Sequence, residues 1–186
     1  MASSLLYSVH PTPIGEALIV VADGGLVALD VLEVALGAAE RHLERISTDL
    51  HAASVPDAAA TAAITAQLDE YFAGDRRDFD LALDLGSVDG FARRALEAIC
   101  TIPYGETASY GEVAILAGSP GAHRAAGSAC ARTPISIVIP AHRVVRSDGS
   151  IGEYGGHPER KRFLLDLEAR VGAESTRAPR RPGATV

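Results

Sequence analysis

The chain has only two cysteines, Cys100 and Cys130, among its 186 residues, and no CxxC spacing. That scarcity excludes a disulfide framework and the usual cysteine-paired zinc site, and no metal or cofactor is expected. Apolar runs are short, and none approaches the roughly 18–20 residues that span a bilayer. The first residues also lack the basic start and apolar stretch of a secretory signal. No membrane association is therefore expected, and the reading is a cytoplasmic protein. With 47% hydrophobic residues the chain can bury a real core, as one ordinary domain or two small ones.

The formal net charge of -7 speaks against a polyanionic partner, but its distribution reverses that inference. Residues 1–90 carry 4 Lys and Arg against 15 Asp and Glu; residues 91–170 carry 10 against 8, and the rest 3 against 1. An acidic half joined to a mildly basic one suits a protein that meets a polyanion with one face. Two domains with unrelated solvated surfaces would give the same pattern.

Along the chain, residues 5–9, 17–21 and 26–32 are apolar or β-branched runs separated by turn residues at 10–15 and 23–25, which predicts an antiparallel meander. Two alanine-rich stretches follow, the second placing Ile64, Leu68, Tyr71 and Phe72 at helical spacing before Gly74. Residues 79–85 alternate apolar and polar and predict a half-buried strand closing a first domain, 1–88. In a second domain, 89–172, Asp89 can cap a helix with Phe91, Ala95, Leu96 and Ile99 on one face. Ser109 and Glu112 have capping-box spacing, Gly118 makes a turn, and Ser119 with Pro120 predicts the start of the next helix. Two short helices around a tight turn form a helix-turn-helix candidate, although ordinary helical hairpins are written the same way. A last helix is expected from 158 to about 171, then a disordered tail over 173–186.

The most informative stretch is Ile139-Pro140-Ala141-His142-Arg143-Val144. Proline fixes one backbone torsion and biases its predecessor toward extended geometry, so position 141 is held rigidly beside an imidazole. That placement suits a nucleophile activated by a neighbouring base, and alanine cannot be one. With Ile102-Pro103-Tyr104-Gly105-Glu106-Thr107, Ser109-Tyr110-Gly111-Glu112, Gly152-Glu153-Tyr154-Gly155-Gly156 and Phe163-Leu164-Leu165-x-x-Glu168, the segment from 91 to 168 resembles the alkylguanine-DNA alkyltransferases. These proteins move an alkyl group from the exocyclic oxygen of guanine onto a cysteine in a Pro-Cys-His-Arg-Val motif. Alanine in its place resembles the alkyltransferase-like variants, which bind alkylated guanine without repairing it.

The resemblance implies an α+β protein, with an N-terminal RNase H-like α/β domain followed by a C-terminal winged helix-turn-helix DNA-binding domain. Some family members carry zinc in the N-terminal half, where this chain has no cysteine. It implies double-stranded DNA containing alkylated guanine as partner, nucleotide-excision repair proteins as candidate further partners, and a monomer. Glu168 would orient His142, which in the family acts on the cysteine through a water; a His-Glu pair is also a common structural hydrogen bond. Tyr110 would crowd the phosphate of the flipped nucleotide and Arg124 fill the space it leaves. Ala125, Gly127 and Ser128 would lie in the minor groove with them, Arg143 would join the DNA contacts, and Ala126, Ala129 and Ala131 would keep the helix slim; a packed core helix has the same composition. The base pocket would draw on Thr133, Pro140, Val144, Val145, Glu153, Tyr154 and Gly155, with Cys130 at the end of the groove-facing helix. Cys130 and Cys100 are read as packing residues. The chain departs from the family at Ala141, at Thr133, which replaces an asparagine bracing the turn, and at Glu153, which replaces another in the pocket loop. Three changes favour natural divergence over a laboratory Cys→Ala substitution. A degenerate relative serving a protein partner is the third reading.

Overall fold

The computed structural model describes residues 4–23 and 25–177. Three antiparallel strands, β1 (Leu5–Thr12), β2 (Gly15–Ala22) and β3 (Gly25–Val31), form the expected meander. A short β4 (Ser54–Pro56) adds in parallel beside β1, giving the order β3-β2-β1-β4. The first turn is tighter than expected: β1 runs through His10 and Pro11, which pair with Ala17 and Glu16, so only Pro13 and Ile14 lie between the strands.

Because side chains alternate along a strand, β2 serves two cores. Leu18 and Val20 pack with Leu5 and Leu43 beneath α1 (Ala38–Leu50). Ile19 faces the other way, with Leu29 and with Ile64, Leu68 and Tyr71 of α2 (Ala58–Ala73). Asp57 caps α2 by accepting from Ala59 and Ala60 N–H at 3.0 Å each, and Gly74 ends it at φ 86°. Phe72, expected on the buried face, is only half-buried.

The strand expected at 79–85 is not formed. Burial does alternate there, but only Leu83 bridges to β3: Leu26 N–H donates to Ala82 O and accepts Asp84 N–H at its carbonyl. The ladder stops because residues 134–136 occupy the next stretch of that edge, with Leu29 N–H donating to Pro134 O and Leu29 O accepting from Ser136 N–H at 2.7 Å. One edge thus receives one segment from each half of the chain. The second core is likewise continuous, Leu29, Leu68 and Tyr71 packing with Leu96, Ile99, Ile135 and Leu164. Full burial of each large aliphatic side chain contributes roughly 1.5–3 kcal/mol.

In the second half α3 (Gly90–Cys100) buries Ala95, Leu96, Ala98 and Ile99; Asp89 occupies its N-cap position without a side-chain cap bond. Cys100, expected in the core, is exposed at the C-terminal end of that helix. The capping box is formed as expected, Ser109 and Glu112 bonding reciprocally at the start of α4 (Tyr110–Leu116). The next helix, α5 (His123–Ala131), begins later than Ser119 and Pro120 suggest. Those residues instead open a turn closed by Ala122 N–H to Ser119 O, with Gly121 at φ 90°. Proline then glycine at the centre of a turn favours this geometry, and the positive φ keeps the helix from starting earlier. The two-residue strands β5 (Ala108–Ser109) and β6 (Val144–Val145) pair in parallel. The last helix, α6 (Pro158–Arg177), runs past the expected end near 171, since no proline intervenes before Pro179. The expected disordered tail over 173–186 is thus helical to Arg177, and the rest lies outside the described residues. No helix among the described residues is long and apolar enough to cross a membrane.

Candidate functional site

The chain enters the site from the edge of β3. After the 134–136 segment it doubles back, Val138 N–H bonding Ser136 O and Ile139 N–H bonding Ile135 O, with Ile137 at φ 70°. A β-branched residue in the left-handed region costs on the order of 1–3 kcal/mol and persists only where its surroundings enforce it. Here Ile135, Ile137 and Ile139 are all buried in the shared core. Pro140 then leads into a single 3-10 turn, Ala141–Arg143, whose three side chains are buried.

Beneath that turn Glu168 gathers five donors. His142 Nε2 and Tyr71 Oη each lie 2.8 Å from Oε1, Arg143 bridges both carboxylate oxygens at 2.9–3.3 Å, and Gly105 N–H reaches Oε2 at 3.0 Å. Burial alone would raise the Glu168 pKa, but the hydrogen bonds from His142 and Arg143 and the permanent Arg143 charge outweigh it and bring it down to about 2. A carboxylate at Oε1 assigns the shared proton to Nε2, which leaves Nδ1 as the bare ring nitrogen. Nδ1 is buried and has no hydrogen-bond partner among the described residues. Burial, opposed by Glu168, depresses the His142 pKa, so the ring is neutral near pH 7.

This sets a pH dependence of folding. A folded His142 that resists protonation loses stability relative to an unfolded one that charges as pH falls through 6.5, and Glu168 adds a loss in the same direction from 4.5 down toward about 2. These two groups add no slope above neutrality, and stability should fall below pH 6.5, with a limiting slope of about 1.4 kcal/mol per pH unit from each group. Urea unfolding at pH 7.5 and 5.5 measures it, and His142→Gln should flatten the upper part of the fall. Greater stability at pH 5.5 would mean that His142 is charged in the folded protein.

Above the turn lies a cavity of about 410 Å³ that reaches Ala141, itself 2% exposed. Its wall includes Cys130, Thr133, Tyr154, Gly155 and the exposed Glu153 from the residues expected at a base pocket, together with Tyr110 and Gly127 from those expected at the DNA. Gly152 lets the loop pass close to Tyr110: a Cβ there would meet Tyr110 Oη at 3.2 Å, and its φ is 68°. Arg124, Ala125 and Ser128 are exposed on α5, while Ala126 and Ala129 are buried. Ala131, expected to keep that helix slim, is exposed at its end.

Four expected positions differ. Arg143, read as a DNA contact, is 6% exposed and spends its guanidinium on Glu168 and on Ile102 O at 2.7 Å. Val144 and Val145 are core residues, because β6 pairs with β5 and buries them. Pro140 borders a smaller cavity of about 190 Å³ behind the turn, beside Arg77 and Cys100. Cys130 lines the main cavity, but burial pushes its thiol up to about 11, which keeps it protonated at neutral pH.

Sequence reasoning missed Tyr71, read only as core. It also missed Lys161, the chain's single lysine, whose rarity beside 16 arginines was the available signal. Lys161 is 1% exposed, donates to Val144 O and sits 5.9 Å from the Tyr110 ring centre; burial lowers its pKa to about 8. The first half of the chain also reaches the cavity, through Arg41, His42 and Arg45 of α1, with no signal in the sequence.

Comparison with known proteins agrees with this architecture. Residues 5–85 match the model described as 6-O-methylguanine DNA methyltransferase, ribonuclease-like domain, and residues 90–170 the one described as its DNA binding domain. A methylated-DNA–protein-cysteine methyltransferase of Methanosarcina barkeri is 37% identical over 164 residues, covering 88% of this chain and 97% of that protein. One of Mycobacterium bovis is 50% identical over 113 residues, covering 61% and 68%. The crystal structure of the Mycobacterium tuberculosis O6-methylguanine methyltransferase superposes with a TM-score of 0.75 at 39% identity, covering 94% of this chain and 95% of that one. A structure of the M. tuberculosis protein in complex with DNA gives 0.75 at 38% identity, covering 89% and 94%. The matches to both halves of the chain, and the 37% identity to a relative covered almost end to end, place this chain, with Ala141 at the floor of its main cavity, in the 6-O-methylguanine DNA methyltransferase family.

Proposed function

We propose that the chain recognises guanine alkylated at its exocyclic oxygen in duplex DNA, docking α5 in the minor groove and flipping the base into the main cavity, and that it transfers nothing. The observation that carries this reading is Ala141: the cavity floor presents a methyl group where a thiolate would have to attack. Cys130 is no substitute, being held as a thiol. The slim exposed face of α5 supports groove docking, with Arg124 available to fill the stack and Tyr110 at the cavity wall. In this reading residues 1–88 and 89–172 act as lesion-side wall and DNA-docking unit of a monomer, and a bound lesion is passed to excision-repair proteins.

Duplex carrying a radiolabelled methyl group should leave the protein unlabelled; stoichiometric labelling of Cys130 would make the chain an enzyme with a relocated nucleophile. Alkylated duplex should bind more tightly than plain duplex, because a weakened base pair lowers the cost of extrusion. Arg124→Ala should remove most of that preference. Equal binding of both duplexes, or no effect of Arg124→Ala, rules out flipping. The names of the relatives support a second reading, a cysteine methyltransferase whose nucleophile was replaced by alanine. The genomic codon for position 141 separates the two.

A further inference from the structure

The main cavity does not end at the base pocket. Its far wall is built mainly by the first half of the chain, where Arg41, His42 and Arg45 project from α1, and is joined by Arg160 of α6 from the second half. At about 410 Å³ it falls in the range that buries drug-sized ligands. A protein that leaves the alkyl group on the base must also house the whole of it.

The polar groups of this extension are unequally matched. Asp30 pairs with His42 at 2.8 Å and Glu33 approaches His157 at 3.8 Å. Arg41, Arg45 and Arg160 have no carboxylate partner among the described residues: Arg41 donates to Leu36 O and Arg160 to Val31 O and Leu32 O, while Arg45 lies 2.7 Å from the His42 Nε2 that already faces Asp30 and that cannot accept from Arg45 while donating to that carboxylate. Three guanidiniums thus stand beside two carboxylates, and each of these already has a histidine. Two further wall residues, Thr133 and Tyr154, hold buried hydroxyls with no hydrogen-bond partner among the described residues. Buried hydroxyls without protein partners are free to bond a ligand or water that enters the cavity. Glu153, the remaining carboxylate of the wall, belongs to the pocket loop and not to α1.

Resting on the reading that the cavity receives a flipped alkylguanine, we propose that α1 makes it selective for substituents ending in a carboxylate, with Arg41 and Arg45 as the anion-binding groups. A guanidinium fork binds a carboxylate with two charge-assisted hydrogen bonds, which a neutral substituent of the same shape does not match.

The test is anisotropy titration of the full chain with duplexes carrying one guanine, O6-methylguanine, O6-carboxymethylguanine or the isosteric O6-carbamoylmethylguanine. The carboxymethyl duplex should bind roughly tenfold more tightly than the carbamoyl one. Arg41 and Arg45 are exposed, so the double variant R41A/R45A should fold and erase that difference, weakening the carboxymethyl duplex about tenfold more than the methyl duplex. Equal affinity for acid and amide overturns the proposal. So does a variant that weakens every duplex alike with a shallower salt dependence, which identifies the arginines as backbone-phosphate contacts. Failure of the underlying reading looks different, since all three alkylated duplexes would then bind like plain guanine, and the proposal falls with it.

Discussion

Restoring a thiol at position 141 is expected to yield alkyl transfer from O6-methylguanine where the chain as it stands gives none. In Ala141→Cys the sulfur would join a turn in which His142 is neutral, bonded through Nε2 to Glu168 and free at Nδ1 to accept a proton. The thiolate would then form the bond to the methyl carbon as the carbon–oxygen bond breaks, and guanine would take up a proton. Transfer should be slow for two reasons visible in the structure. Position 141 is buried, which raises a thiol's pKa, and Thr133 Oγ1 has no hydrogen-bond partner among the described residues where the family's asparagine braces the turn. Adding Thr133→Asn supplies an amide that donates and accepts at once, and should speed transfer about tenfold, equivalent to ~1.4 kcal/mol of barrier. Single-turnover labelling of the protein with tritiated methyl duplex measures both rates. A folded double variant that binds methylated duplex but never becomes labelled would mean that the His142–Glu168 pair now serves structure only.

Glu168→Gln should be the most destabilising single substitution near the site, costing about 3–5 kcal/mol, a large part of the 5–15 kcal/mol that holds a typical domain. The amide keeps the shape but removes the charge that satisfies a buried guanidinium, and Arg143 cannot deprotonate to relieve it. The double change Glu168→Gln with Arg143→Met removes both charges and should recover a substantial part of the loss. Urea unfolding of the single and double variants gives the coupling; a loss below about 1 kcal/mol for Glu168→Gln would show that the ion pair is not what holds the turn.

Features written in neighbouring residues were the ones legible in the sequence. The capping box at Ser109 and Glu112, the apolar spacing of α2 and the Pro140-Ala141-His142 turn each depend on a few consecutive positions, and all three are present, with only Phe72 of α2 less buried than read. What stayed hidden depends on partners far along the chain. Arg143 looks like a surface cation until Glu168 is folded against it, and Tyr71 looks like plain core until its hydroxyl meets the same carboxylate. Residues 79–85 have the alternation of a strand, but the edge they would extend is already claimed from beyond residue 130. The cations of α1 leave no local mark either, since an exposed amphipathic helix is written the same way wherever it lies.

That shared edge of β3 also sets the order of events during synthesis. Leu29 leaves the ribosome long before Ser136, its hydrogen-bond partner, exists. At roughly 5–20 residues per second the edge stays unpaired for several seconds or more. Through that interval an apolar strand edge is open to other nascent chains, so the first half is the aggregation-prone stage of biogenesis. It is completed only when the segment that carries position 141 arrives to close it.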